Sequence, residues 1–414
     1  MAHTSLPGFR DFYPEQLAER AHVTRAWRDV TRRYGFVEYD GPPLEPLELY
    51  TAKSGAEIVG QLYNFVDKGK REVALRPEMT PTFARMIGAR ANSLRKPTRW
   101  FSMPQLFRYE RQQKGRLREH YQLNVDIVGD AGVAADAELV ACAIDICREL
   151  GLSAREVVVR VSDRRVMQAY LTALGVGEDA HGAVFSVVDK LARQPRDVSA
   201  EKLVSAGLTE IQIDAVLSIP DATVETVRAA LTNDTGAALV ADVDRFFEYV
   251  AALVPDGASW LRFDMSIVRG LAYYTGIVFE LFDRSGEFRA ICGGGRYDDL
   301  LGTLGGTPLP ALGFGMGDVV LTELLRARGL LPAHESVVDC WITADEGVPT
   351  AVVMAEARRL RSDGKSVEYS LRRQSMSKQR KAAKAAGART VVHLSTSGAG
   401  GAATETQPTP RLDG

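Results

Sequence analysis

The run Tyr121–Val128 sets the first constraint on the fold. Tyr121, Leu123, Val125 and Ile127 alternate with Gln122, Asn124, Asp126 and Val128. A period of two over this length predicts a strand with one apolar and one mostly polar face. Upstream, Arg108 and Glu110 lie two residues apart and so share a face of their own strand. Antiparallel pairing of the two segments puts Arg108, Glu110, Gln122 and Asp126 on one surface. The loop between them carries Arg111, Lys114, Arg116 and Arg118. A polar floor beside a cationic loop suits a ligand with an amine, a polyphosphate and a nucleic-acid end. Taken alone, the pattern equally describes a strand pair with a solvated loop.

Bulk properties narrow the class of protein. At 414 residues, two or three domains are expected. Net charge is 51 − 53 = −2, so any nucleic-acid contact must be local. The N-terminus shows no signal-peptide core, and no apolar run reaches the roughly 18–20 residues of a membrane span. Cys142, Cys147, Cys292 and Cys340 show no metal-ligand spacing, nor do the six histidines. These features predict reduced thiols, no resident metal, no membrane contact and a cytoplasmic location.

Periodicity and turn residues lay out the chain. An amphipathic helix is predicted from Gln16 to Tyr34, then a short strand Phe36–Tyr39 ended by Gly41-Pro42-Pro43. Phe65–Leu75 reads as a hairpin turning at Asp67-Lys68-Gly69-Lys70. Next comes Arg76-Pro77-Glu78-Met79-Thr80-Pro81, whose prolines pin the backbone around Glu78–Thr80, and then a helix from Thr82 to Arg90. Thr80 is either a ligand-facing hydroxyl or simply the helix N-cap. A single strand is expected over Thr98–Tyr109, a helix over Ala134–Leu150 and a strand over Val157–Val161. Residues 165–250 turn helix-rich, with no clustered reactive groups, and read as an insertion between two halves of one sheet. That sheet resumes at Leu261–Val268, Gly276–Phe282, Phe288–Gly293 and Ala311–Gly317.

Residues 329–336 form the expected linker. From 337 to 394 the order is β-α-β-α-β, a small α/β domain. Between Val337 and His393 there are 11 Lys and Arg against 6 Asp and Glu, a local net charge of +5. Arg372, Arg373 and Lys378 cluster at its second strand–helix junction, as a phosphate-backbone surface or as a solvated helix face. The composition of 395–414 predicts a flexible tail.

A second dense stretch follows the insertion: VRGLAYYTGIVFE over Val268–Glu280, then CGGGRYD over Cys292–Asp298. Gly270 lets the backbone aim Arg269 into a cleft, and Tyr273 and Tyr274 offer an aromatic wall. The glycines at 293–295 and in Gly313-Phe314-Gly315-Met316-Gly317 permit close approach to a ligand. No phosphate-loop, nucleophile-elbow or HExxH motif is present.

Together these stretches resemble the histidyl-tRNA synthetase family of class II aminoacyl-tRNA synthetases. Four segments carry the resemblance: YGFVEYDGP (class II motif 1), LRPEMT, Phe107–Gly129 (motif 2), and RGLAYY with CGGGRYD, the family's own signature. The resemblance implies a class II catalytic domain with an antiparallel sheet over residues 1–328, helical insertion included. It implies an anticodon-binding α/β domain over 337–394 and a homodimer built through motif 1. The reaction implied joins L-histidine to the α-phosphate of ATP with Mg²⁺, then transfers the acyl group to tRNA(His).

Residue by residue, Arg108 and Arg269 are implied to be catalytic, flanking the α-phosphate and stabilising charge in an in-line displacement. Glu78, Met79, Thr80, Gln122, Asp126, Tyr273 and Tyr274 are implied at the histidine end. Glu78 and Asp126 would take the ammonium, and the tyrosines would close on the imidazole. Glu110, Arg116, Gly315 and Gly317 are implied at the ATP end. Arg111, Gln113, Lys114 and Arg118 would meet the tRNA acceptor end, and Arg372, Arg373 and Lys378 its anticodon.

Three positions depart from the family pattern. Asp126 stands where glutamate is common, and Ala272 where aspartate is common. Val320 occupies the position of the motif 3 arginine that binds the ATP γ-phosphate, so either another cation, such as Arg116 or Arg296, serves the triphosphate or ATP use is impaired. The rival reading is the histidine-sensing regulatory subunit of ATP phosphoribosyltransferase, an inactive paralogue. Retention of Arg108, Arg269 and the RGLAYYTG stretch favours the synthetase.

Overall fold

The structure, a computed structural model, describes residues 4–54, 56–109, 117–268, 273–304, 306–332, 338–396 and 403–408. Glu110, Arg111, Gln113, Lys114, Arg116 and Arg269 therefore lie outside the described residues. The chain divides into two compact units, Met1–Pro332 and Ala333–Gly414.

In the first unit, β1 (Val37–Glu38) is followed by β2 (Leu44–Pro46), β3 (Asn64–Val66) and β4 (Glu72–Leu75). Next come β5 (Thr98–Ser102), β6 (Gln105–Phe107), β7 (Glu119–Val128) and β8 (Val157–Asp163). After the helical insertion follow β9 (Leu261–Phe263), β10 (Ile277–Asp283), β11 (Cys292–Arg296) and β12 (Ala311–Gly317). The main sheet runs β1-β5-β7-β12-β11-β10-β8-β9, with β6 also on β7, and is antiparallel except at its two outer pairs. A second sheet, β2-β4-β3, carries the hairpin read from the sequence.

Burial explains why β7 anchors the sheet. Leu123, Val125 and Ile127 face a core that also holds Leu139, Cys142 and Ile146 of the helix Val133–Glu149 and Phe246 and Val250 of the helix Asp234–Leu253. Covering one side with helices leaves the opposite side of β7 free for polar groups. The insertion closes its own core around Met167, Leu171, Val184 and Val216. All four cysteines are buried and unbridged.

Three expectations are corrected. The single strand over Thr98–Tyr109 is two, because Pro104 offers no N–H; β5 and β6 each pair with β7 on either side of it. The strand placed at Phe288–Gly293 lies at Cys292–Arg296 instead. Its glycines argue against a strand by propensity but are required by packing, since a Cβ on Gly294 would sit 2.3 Å from the Gly313 carbonyl oxygen. The tail is not wholly irregular.

In the second unit β13 (Cys340–Ala344), β14 (Val367–Tyr369) and β15 (Thr390–Ser395) are parallel, and β16 (Ala403–Pro408) adds antiparallel to β15. An open sheet edge supplies unpaired backbone groups that composition cannot reveal. Helices Thr350–Ser362 and Met376–Ala385 make the crossovers.

Candidate active site

The cleft is floored by three neighbouring strands. On β7, His120, Gln122, Asn124 and Asp126 project to the side away from the core, and all four line a cavity of about 750 Å³. Across from them on β12, Gly313 is opposite Asp126, Gly315 opposite Asn124 and Gly317 opposite Gln122. On β11, Gly293 and Gly295 lie opposite Gly315 and Gly313. A Cβ added at Gly313 would stand 2.1 Å from Asp126 Oδ1, and one at Gly315 would stand 2.0 Å from Gln122 Nε2. The alternate glycines thus exist to let the polar side chains of β7 lie across the sheet. Gly315→Ala is expected to displace Gln122 and to raise the KM for a substrate bound in the cleft about tenfold while sparing the fold, the cost of disturbing one buried hydrogen bond. Steady-state kinetics with circular dichroism checks it.

Hydrogen bonds hold the floor in register. His120 Nε2 lies 3.2 Å from Gln122 Oε1, and Gln122 Nε2 donates to Asn124 Oδ1 at 3.0 Å. Burial and the nearby Arg108 push the His120 pKa down to about 4, so its ring is neutral near pH 7. Burial drives the Asp126 pKa up to about 7, against the opposing effect of a hydrogen bond from the Tyr297 hydroxyl. Tyr297 also meets the Tyr273 ring edge-on at 6.0 Å, and Tyr273 packs on Tyr274 at 4.7 Å. Tyr273, Tyr274 and Tyr297 all line the cleft.

The wall opposite is set by Arg76. This buried guanidinium donates to Asp40 at 2.8 Å, to the Gly41 carbonyl at 2.7 Å and to the Gln105 carbonyl at 3.1 Å. It fixes the turn that presents Glu78 and Thr80 to the cleft. Thr80 is the first residue of the helix Thr80–Arg90, and Met79, whose side chain makes no capping bond, is the cap. Reading Thr80 as the N-cap is therefore incorrect. Arg108 donates from Nε to the Pro77 carbonyl at 3.0 Å, so the motif 2 arginine is tied to the same turn.

Of the residues expected at the site, Glu78, Thr80, Arg108, Gln122, Asp126, Tyr273, Tyr274, Gly315 and Gly317 come together in this one cleft. Met79 does not: its side chain is fully buried, inward of the turn that exposes its two neighbours. Arg118 stacks over the Tyr109 ring at 4.6 Å and is not among the cleft residues. Arg296 is ruled out as a phosphate-binding cation. It is buried in a pair with Asp136 at 2.6 Å, a second contact to Asp298, and bonds to the Asp130 and Gly132 carbonyls.

Val320, at the start of the helix Asp318–Ala327, lines the cleft but packs into the core. Sequence reasoning missed Tyr297, His120 and Glu280. The alternation that singled out Gln122 and Asp126 also points to His120, and Glu280 follows from alternation on β10. Tyr297 closes the CGGGRYD stretch, but nothing in its spacing announces a bond to Asp126. In the second unit, Arg372 and Arg373 line a separate cavity of about 460 Å³, while Lys378 is exposed outside it. Among the described residues no three His, Cys, Asp or Glu side chains converge as a metal site, and no helix is long and apolar enough to cross a membrane.

An antiparallel sheet backed by helices, with motif 2 and a glycine-floored cleft on its open face, defines the catalytic fold of a class II aminoacyl-tRNA synthetase. A solved histidyl-tRNA synthetase from a Nostoc species superposes with a TM-score of 0.80 at 24% identity, covering 96% of this chain and 93% of that one. A Bacillus halodurans structure described as an ATP phosphoribosyltransferase regulatory subunit/histidyl-tRNA synthetase gives a TM-score of 0.78 at 22% identity, over 96% of this chain and all of that one. At these identities the two share the fold. The sequence comparisons go further: the family model for histidyl-tRNA synthetase matches residues 8–318. The histidine–tRNA ligase of Opitutus terrae is 45% identical over 399 residues, spanning 93% of this chain and 89% of its own length. The chain belongs to the histidyl-tRNA synthetase family.

Proposed function

We propose that the chain is a histidine–tRNA ligase that activates L-histidine with ATP and Mg²⁺ and passes the histidyl group to tRNA(His). The observation that carries this reading is the meeting of Glu78, Thr80, Arg108, Gln122, Asp126 and Tyr274, drawn from three separate stretches, in one cleft. The cavity volume lies in the range of small-molecule and cofactor sites. Glu78, Thr80, Gln122 and Asp126 take the polar ends of histidine, with the Tyr273–Tyr274 pair and Tyr297 around the imidazole. Arg108 holds the substrate carboxylate against the α-phosphate. Arg269 is assigned to the opposite side of that phosphate on its motif alone. The histidine carboxylate attacks phosphorus, pyrophosphate leaves, and no covalent enzyme intermediate forms.

The His120 side of the floor and Gly315 and Gly317 receive the nucleoside, and Glu110 is assigned to the adenine end or the metal. Mg²⁺ of this kind rides on substrate phosphates with one or two carboxylates, for which the described wall offers Glu280. Histidine-dependent ATP–pyrophosphate exchange tests the reading. Histidine binding without exchange under any Mg²⁺ condition would sink it and favour a regulatory subunit.

The second unit is assigned to the anticodon. Its cavity opens at the carboxyl ends of β13 and β14, where parallel α/β sheets take ligands, and Arg372 and Arg373 stand in its rim. Lys378 extends the same basic surface, while the loop with Arg111, Gln113, Lys114 and Arg118 is assigned to the acceptor end. A chain ending at Pro332 is expected to keep exchange within about twofold but to lose tenfold or more in tRNA charging at limiting tRNA, the scale of a few lost phosphate contacts. Full charging by that chain would remove the anticodon role. A homodimer through the motif 1 region is supported by the outer strand β1 and by exposed Val37, Phe65 and Val66. Sedimentation analysis tests it.

A further inference from the structure

We propose that Arg289 binds the β- and γ-phosphates of the nucleotide in place of the arginine that motif 3 lacks here, an assignment that rests on the cleft being an ATP site. Val320 brings only an apolar side chain to the cleft, and Arg296 is committed to Asp136. Yet a triphosphate with its bound metal still carries excess negative charge, and Arg108 is occupied with the α-phosphate end. The cleft itself offers the replacement.

The end of the β11·β12 ladder carries Arg289 and Val320 to the same cavity. Cys292 pairs with Met316 at the end of the β11·β12 ladder. The chain before it stays bonded to β10, with Ile291 N donating to the Leu281 carbonyl at 2.8 Å. Arg289 lies three residues before Cys292, and Val320 four residues after its partner Met316, so both leave the same end of the ladder, Val320 in the first turn of the helix Asp318–Ala327. Arg289 is exposed and lines the same cavity as Val319, Val320 and Arg108. A guanidinium at the rim can reach in with a long side chain where the family sends one from the first turn of the helix. Arg289 makes no bond in the reaction. As the carboxylate oxygen bonds to the α-phosphorus, the bond to the bridging oxygen breaks and its electron pair leaves on pyrophosphate, where Arg289 offsets the charge.

The rivals are Arg116, which lies outside the described residues, and Arg193, on the 3-10 turn Leu191–Arg193 of the insertion, which also lines the cleft but flanks neither β11 nor β12. The test compares the full chain with Arg289→Ala, Arg289→Lys, Arg193→Ala, Arg116→Ala, Val320→Arg and the Arg289→Ala/Val320→Arg double variant. Calorimetry measures binding of Mg-ATP and of AMP, and exchange assays give the KM for ATP and for histidine. Arg289→Ala is expected to weaken Mg-ATP binding and raise its KM by about 10- to 100-fold, the worth of one or two charge-assisted hydrogen bonds. AMP binding and the KM for histidine stay unchanged, Arg289→Lys retains part of the affinity, and Val320→Arg restores the double variant. Equal loss for ATP and AMP, no loss for either, or transfer of the effect to Arg193→Ala or Arg116→Ala would overturn the assignment. Wild-type protein that binds ATP through Arg289 but shows no exchange would remove the ligase reading while leaving the phosphate site standing.

Discussion

Arg108→Ala is expected to lower histidine-dependent ATP–pyrophosphate exchange by about 100- to 1,000-fold, the scale for deleting one preorganised donor to transition-state charge. The loss falls on kcat more than on the KM for histidine, because the charge that Arg108 meets grows as the carboxylate joins the α-phosphate. Geometry makes lysine a poor substitute. Arg108 Nε is already bonded to the Pro77 carbonyl, so the guanidinium plane is fixed against the turn bearing Glu78. An ammonium can make one of these contacts but not hold the fork. Arg108→Lys is therefore expected to recover less than a tenth of the lost rate. Removing Arg108 also relieves the positive field on His120, which should raise its pKa from about 4 toward the ordinary value. Nuclear magnetic resonance titration of that imidazole reports the change independently of turnover. A variant with wild-type exchange would dismiss Arg108 from the chemistry.

Histidine binding is expected to strengthen as pH rises toward 7 and then level off, and Asp126→Asn is expected to abolish that component. Burial holds the unliganded Asp126 carboxyl protonated up to about pH 7. A cationic ligand needs the carboxylate, so binding below that pH must release the proton. Histidine's own titration is common to both proteins, and the difference between them isolates Asp126. In Asp126→Asn, affinity at neutral pH should fall by about 10- to 100-fold, as for a lost charged hydrogen bond. Calorimetry in buffers of differing ionisation enthalpy counts the proton.

Stability carries the opposite sign. An unfolded aspartate loses its proton near pH 4, whereas the folded one keeps it to about 7. Between those values the native state binds more protons, so the contribution of Asp126 to stability declines as pH rises and is fully unfavourable above 7. Denaturant midpoints of wild type and Asp126→Asn should converge in acid and separate toward pH 7, with the variant the more stable.

The shared cleft also accounts for the aspartate at 126. Asp126 and the Tyr297 hydroxyl meet above Gly313, where a Cβ would be only 2.1 Å from the carboxylate. The tyrosine bond fixes the short side chain, so reach lost by one methylene is offset by a rigid partner from the end of β11, on the far side of β12. Ala272 and Arg269 lie outside the described residues, so the aspartate missing at 272 has no structural account here.

Local pattern determined a good deal by itself. The alternation in Tyr121–Val128 fixed which side chains share a face, because strand geometry alone dictates it, and Gln122, Asn124 and Asp126 do line the cleft. The paired prolines around Glu78–Thr80 marked a constrained turn, and the β-α-β-α-β order marked a second α/β unit. What only the tertiary structure decided is which partner each group finds. Met79 sits between two cleft-lining residues yet turns inward, its side chain fully buried. Arg296 looked available from its position after three glycines, but burial would leave its charge uncompensated without Asp136, and so it is not free for phosphate. The glycines of β11 and β12 read as points of close approach to a ligand, but their need arises from side chains crossing from β7 onto Gly313 and Gly315 and from the Gly313 carbonyl against Gly294. Tyr297 reaches Asp126 across 171 residues of sequence. Periodicity acts within a segment and is written in the residues themselves, whereas pairing, burial and charge compensation act between segments and exist only once the sheet has formed.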